Sequence, residues 1–328
     1  MTGAPAAPPP PPEAVDRPRA RPPVRPRRLR PGDRVAIVAP SGPVLRERLD
    51  AGLDVLRGWD LDPQVMPHVL DVHPELDHLA GTDADRARDL TDAWCDPSVA
   101  AVLAARGGYG AQRMVELVDW EAMRAAGPKV FVGYSDITAL HEAVAARLGL
   151  VTLHGPMPAT ASFLKDADTQ DHLRRTLLAP ETVTEIAPPA ARTLVPGRAH
   201  GTTFGGCLSL LAGELGVRGR RPARPAGGIL LLEDVGEKPY RLDGHLTHLL
   251  RSGALDDVTG VVLGSWHDCG PYEEVRAVLL DRLVPLGVPV VEEMGFGHGP
   301  TTRTLPLGVP ATLDADACVL TLEEPALT

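Results

Sequence analysis

Cysteine is scarce in this chain and unpaired in its spacing. Cys95, Cys207, Cys269 and Cys318 stand singly, with no Cys-x-x-Cys among them. That pattern argues against a zinc knuckle or a disulfide framework and suits a reducing compartment, the cytoplasm. Long hydrophobic runs are missing too: nothing approaches the roughly 18 apolar residues of a membrane span. The apolar stretch 35–39 after Arg27-Arg28 is interrupted upstream by Arg30, Pro31, Gly32, Asp33 and Arg34. It falls short of the roughly 7–15 residues of an export-signal core. Nor is there a basic excess. The formal net charge is -10, which makes nucleic acid an unsuitable partner for the folded body.

The charge is unevenly spread. Residues 1–30 hold seven Arg against Glu13 and Asp16, a net +5, so the remainder carries -15. The same segment holds ten Pro, with an unbroken run from Pro8 to Pro12. Such a composition buries too little apolar surface to fold, and residues 1–29 are expected to form an extended, disordered tail. The remaining length suits one large or two medium domains.

From residue 30 onward, short apolar stretches alternate with amphipathic ones. Residues 34–39 read as a strand and 45–59 as a helix with Leu49, Leu53 and Leu56 on one face. A second strand, 99–104, runs into Arg106-Gly107-Gly108-Tyr109-Gly110 and then a helix through Val118. A third, 129–133, precedes a helix over 137–148 that ends at Gly149. This alternation predicts βαβ units and a parallel sheet, the α/β class, over residues 30–180. Sites on such sheets lie in loops at the carboxyl ends of strands, where the 106–110 and 133–136 segments fall. Residues 181–200, rich in Pro, Ala, Arg and Thr, read as a linker or a peripheral hairpin. A second domain, 201–328, follows. It has a strand ending in Glu233 and Asp234, a helix at 241–251 with Leu242, Leu246, Leu249 and Leu250, and apolar runs at 258–263, 288–291 and 317–322.

Four features carry chemistry. In Gly133-Tyr134-Ser135-Asp136-Ile137, a strand turns at a serine directly into a helix, the shape of a nucleophile elbow. The turn would lift the hydroxyl above the sheet and set the Asp136 amide at a helix amino terminus, where it can stabilise an oxyanion. The second glycine of Gly-x-Ser-x-Gly is absent, and read locally Ser135 looks more like an N-cap than a nucleophile. The three glycines of the 106–110 loop let backbone amides approach a ligand, but match neither a P-loop nor a dinucleotide fingerprint. A plain tight turn explains them as well. Glu233 could orient an imidazole, or be a solvated acid at a strand end. His298, in Gly297-His298-Gly299-Pro300, could reach across a cleft or stand on the surface.

A metal is not called for. His68, His73 and His78 are five apart, off any one helical face, and His245 and His248 lack a His-Glu-x-x-His frame. No cofactor motif is present either.

Taken in order, the motifs resemble the LD-carboxypeptidase family of serine peptidases, which includes the microcin C immunity proteins. The resemblance rests on Leu29-Arg30-Pro31-Gly32-Asp33-Arg34 running into the first strand, Ala80-Gly81-Thr82-Asp83, and Ala105 through Gly110. It continues through Gly133 to Asp136, His154-Gly155-Pro156-Met157, Gly205-Gly206-Cys207-Leu208-Ser209-Leu210 and Leu232-Glu233-Asp234, and ends with Gly297-His298 and Thr304-Leu305-Pro306-Leu307-Gly308. It implies an amino-terminal parallel-sheet domain resembling glutamine amidotransferases and a smaller β-rich carboxyl-terminal domain. It also implies a Ser135–Glu233–His298 triad whose members lie 98 and 65 residues apart. The amides of Asp136 and Gly108 are then the oxyanion donors, and Arg106 and His154 bind substrate or shape the pocket. Members are cytoplasmic, metal-free, usually homodimeric, and act on murein tetrapeptide or, in the immunity type, on peptide–nucleotide conjugates. Cys207 stands where the family often has Asn, and the 299–303 loop is atypical.

Overall fold

Parallel strands cannot pair through a tight turn, so each needs a crossover, and the helical stretches supply it. The computed structural model describes residues 22–217 and 227–328. Its first sheet contains β1 (Arg34–Val38), β2 (Asp62–Val65), β3 (Val99–Ala104), β4 (Val130–Gly133) and β5 (Thr152–His154), all parallel, in the order β2-β1-β3-β4-β5. Consecutive residues of β1 enter opposite cores. Ala36 and Val38 pack with Trp94, Phe131 and Met157, while Val35 and Ile37 pack with Leu103, Phe163 and Leu173. Helices therefore cover both faces, as a parallel sheet requires. The expected face of the helix Arg46–Gly58 is buried, at Leu49, Leu53 and Leu56. In this order the chain reverses between β1 and β3, the point where doubly wound sheets open a crevice.

The second sheet has eight strands. They are β6 (Glu185–Ile186), β7 (Arg192–Val195), β8 (Arg198–Cys207), β9 (Gly228–Val235), β10 (Val258–His267), β11 (Val290–Glu292), β13 (Pro310–Asp314) and β14 (Val319–Leu322). The intervening β12 (Leu305–Leu307) leaves this sheet and adds antiparallel to β5 at the edge of the first. The central strands β8, β9, β10 and β11 are parallel, and the helix Pro239–Arg251 buries Leu242, Leu246 and Leu249 against them.

Two boundaries differ from the sequence reading. Residues 181–200 are not a free linker: β6 pairs with β14 and β7 with β11, forming the two edges of the second sheet. Pro188 and Pro189 fall between these edge strands and Pro196 just after β7, where a missing N–H removes no ladder bond. Residues 22–29, expected in the tail, are packed. Val24 accepts from the Val151 amide at 2.9 Å and donates to Gly149 O at 2.8 Å, and Leu29 is buried in the first domain's core. The rest of the expected tail, 1–21, lies outside the described residues. The last residues also return to the first domain: Ala326 and Leu327 enter the same core, and the amide of Thr328 donates to Pro26 O at 2.9 Å.

Candidate active site

Two residues past the end of β4 the backbone takes a conformation that L-amino acids rarely adopt: Ser135 has φ +66°. A left-handed non-glycine residue costs on the order of 1–3 kcal/mol and persists only when its surroundings impose it. Here two contacts do so. The ring of Tyr134 is packed 4.9 Å from that of His298. Ile137 crowds Gly133, where an added Cβ would lie 2.7 Å from Ile137 Cγ2. The glycine missing from the elbow pattern is thus replaced by the residue that makes the first glycine obligatory. The cap alternative fails on geometry. The Ser135 hydroxyl makes no capping bond, and the turn Ser135–Ile137 leads straight into the helix Thr138–Leu148.

Asp136 anchors the elbow from below. Its buried carboxylate accepts from Ser41 Oγ at 2.6 Å and from the Ala111 amide at 2.7 Å. It therefore ties together the loops after β1, β3 and β4. Burial lifts its carboxyl above the usual range, against the pull of those two hydrogen bonds. The 106–110 loop lies against Ser135. An added Cβ on Gly107 would stand 2.9 Å from Ser135 Cβ and 3.1 Å from its Oγ. Gly108 has φ +124°, and the Gly42 amide donates to Gly107 O at 3.3 Å.

The second domain brings the other half. Glu233, at the end of β9, is fully buried, and His298 Nδ1 lies 2.6 Å from its Oε2. Gly297, at φ +96°, permits this approach, since a Cβ there would lie 2.6 Å from Glu233 Oε2. Burial opposes the charge of Glu233, yet the adjacent His298 and His154 hold its carboxyl well below the carboxylate range. For His298 burial favours the neutral ring, but the charge and hydrogen bond of Glu233 reverse that, raising its pKa above the ordinary value. Ser135, Tyr134, Gly107, Gly108, Arg106 and His298 line one cavity of about 170 Å³.

Not every expected site residue faces that cavity. His154 is fully buried behind Glu233, its Nε2 3.7 Å from Oε1, enclosed by Tyr134, His141 and Phe296. It lies beside the carboxylate and is not among the residues that line the cavity. Arg106 does line the cavity, but also braces the loops, donating from Nε to Gly107 O and from Nη1 to Pro43 O. Arg48, Met157, Thr160 and Ala161 join the lining without having been singled out from the sequence. Arg48 sits on the polar face of an amphipathic helix, where nothing local separates a ligand contact from a solvated charge. The histidines weighed as metal ligands are dispersed: His68 pairs with Asp89, and His245 lies near Glu237. Among the described residues no group of three or more His, Cys, Asp and Glu side chains is arranged to hold a metal.

Family models for the LD-carboxypeptidase amino-terminal and carboxyl-terminal domains match residues 35–155 and 200–313. The chain belongs to the LD-carboxypeptidase family. It is thereby a serine peptidase. A protein of Streptomyces coelicolor provisionally named a carboxypeptidase is 67% identical, over 93% of this chain and 97% of its own length. The murein tetrapeptide carboxypeptidase of Pseudomonas aeruginosa is 34% identical, over 86% of this chain and 94% of its own. The crystal structure of the muramoyltetrapeptide carboxypeptidase from Oxalobacter formigenes superposes with TM-score 0.75 at 30% identity, covering 90% of this chain and all of that one. MccF in complex with glutamyl sulfamoyl guanosine superposes with TM-score 0.79 at 22% identity, covering 93% of this chain and all of that one, a likeness of fold alone.

Cys207, the departure within the Gly205-Gly206 motif of the LD-carboxypeptidase family, is buried off the cavity. Its amide donates to Thr138 Oγ1 at 3.0 Å, and its thiol donates to Asp234 Oδ1 at 3.3 Å. Burial and the adjacent Glu233 and Asp234 push the thiol pKa well above the ordinary value, so it is no competing nucleophile. The contact between Gly107 and Ser135 yields a prediction. Gly107→Ala is expected to displace the serine and lower hydrolytic turnover by about 100-fold, the scale set by misplacing a reacting group. Steady-state kinetics beside a thermal melt will test it; unchanged turnover refutes the contact's importance.

Proposed function

We propose that this chain hydrolyses the amide joining an L-configured diamino-acid centre to the terminal D-alanine of murein tetrapeptide, in the recycling of peptidoglycan. The observation that carries the reading is a strained serine sharing one small cavity with an imidazole held by a buried carboxylate. Ser135 Oγ attacks the carbonyl as His298 Nε2 takes its proton. His298 then protonates the leaving D-alanine nitrogen, and water hydrolyses the acyl-enzyme by the reverse sequence. Glu233 fixes the proton of His298 on Nδ1 and stabilises the imidazolium. The amides of Asp136 and Gly108 hold the tetrahedral oxyanion, each contributing on the order of 3 kcal/mol.

The alternative is the immunity type, an amidase for aminoacyl–nucleotide conjugates. A nucleobase is held by stacking, and Tyr134 is the only Phe, Tyr or Trp side chain lining the cavity among the described residues. Trp266 packs into the second domain's core. That composition favours the murein peptide. The same proposal places the enzyme in the cytoplasm as a homodimer, with the four free cysteines consistent with a reducing compartment. The deciding experiment incubates the purified protein with murein tetrapeptide and, separately, with aminoacyl sulfamoyl adenosine. Release of D-alanine is expected. Cleavage of the nucleotide conjugate alone selects the immunity reading, and no product from either sinks both in favour of a non-catalytic binding protein.

A further inference from the structure

The cavity in front of Ser135 has unbalanced charge. Two guanidinium groups, Arg48 and Arg106, line it, and no carboxylate does. Arg106 is held in place: Nε donates to Gly107 O at 3.1 Å and Nη1 to Pro43 O at 3.0 Å. Its Nη2 has no hydrogen-bond partner among the described residues and lies 3.7 Å from where a Cβ on Gly108 would stand, beside the proposed oxyanion site. Arg48 makes no ion pair or hydrogen bond among the described residues, although its helix neighbour Arg57 pairs with Asp54. The remaining wall is small or apolar at Met157, Ala159 and Ala161. The cavity, of about 170 Å³, has room for a residue of alanine size.

We propose that Arg48 and Arg106 form the subsite for the free α-carboxylate of the substrate's terminal residue. The inference rests on hydrolysis at Ser135. A guanidinium meets a carboxylate with paired, charge-assisted hydrogen bonds. Arg106 offers its free edge from a fixed position, so little conformational entropy is lost when it binds. Arg48, exposed and unpaired, closes on the anion from the helix Arg46–Gly58. A chain continuing past the next residue would present a neutral amide to two unneutralised cations.

The test compares two substrates on three proteins. Tetrapeptide with a free terminal carboxylate, and the same peptide as its carboxamide, are given to wild type, Arg48→Gln and Arg106→Lys. Wild type is expected to favour the free acid by about tenfold or more in kcat/KM, the scale of losing one charge-assisted contact. Arg48→Gln should lower kcat/KM for the acid by a similar factor, chiefly through KM, and leave the carboxamide nearly unchanged. Arg106→Lys should do the same, with an added loss on both substrates because it also braces Gly107. Equal losses on both substrates in Arg48→Gln, or none on either, overturn the subsite. If wild type cleaves neither peptide, the proposed function fails, and the subsite is judged by calorimetry. Binding of the acid in preference to the carboxamide, lost in Arg48→Gln, supports it, and equal binding of the two refutes it.

Discussion

Ser135→Ala is expected to lower kcat for D-alanine release by about four to six orders of magnitude, the range seen when a triad serine is removed. The fold should persist. The hydroxyl makes no hydrogen bond among the described residues, and alanine keeps the Cβ against which Gly107 packs. The φ of +66° stays as costly for alanine as for serine, so the melting temperature should barely move. Ser135→Gly, equally inactive, is expected to be at least as stable, because glycine adopts that φ without strain. An active Ser135→Ala enzyme would remove the serine from the chemistry. A glycine variant clearly less stable than the alanine one would show that the turn is not strained.

Glu233→Gln should cost about 10⁴ in kcat, as when the carboxylate behind a catalytic histidine is made neutral. The 2.6 Å contact with Nδ1 is the cause. A carboxylate only accepts there and keeps the proton on Nδ1, leaving Nε2 free to take the serine's. The amide nitrogen of glutamine can donate to Nδ1, which drives the proton to Nε2 and disables the base. The pH profile carries a second signature. The base works as neutral imidazole, so kcat/KM falls as pH drops through the pKa of His298. With Glu233 charged, that pKa is raised, and the acid limb should lie above the usual histidine value of about 6.5. In Glu233→Gln the larger raising charge is gone, leaving burial opposed only by the weaker field of Asp234, so the limb should move to lower pH while the plateau collapses. A limb that stays in place would mean that another group titrates.

Much of this was legible before any coordinates. Strand–helix alternation specified the parallel sheet, because period and chain direction are local properties. The leucine spacing over 45–59 located a buried helix face, and the glycine-rich segments fell at strand ends, where loops approach one another. What failed to show was decided across distance. Residues 181–200 look like a linker until β14 and β11, more than 90 residues downstream, complete their ladders. His154 reads as a pocket residue until β9 sets Glu233 beside it, both buried and off the cavity lining. Arg48 is one charge among several on a polar helix face until the fold sets it on the same cavity as the loop after β3.

The same division runs through Ser135. Its residue type, the preceding strand and the following helix are fixed by sequence, and these suit a helix cap better than a nucleophile. Only the tertiary structure holds the backbone at φ +66° and carries His298, from the second domain, to the same cavity. Local pattern records which groups are available and which face of an element is apolar. Strain, burial and the pairing of distant polar groups arise only when separate segments compete for the same space, and there the chemistry of this site was set.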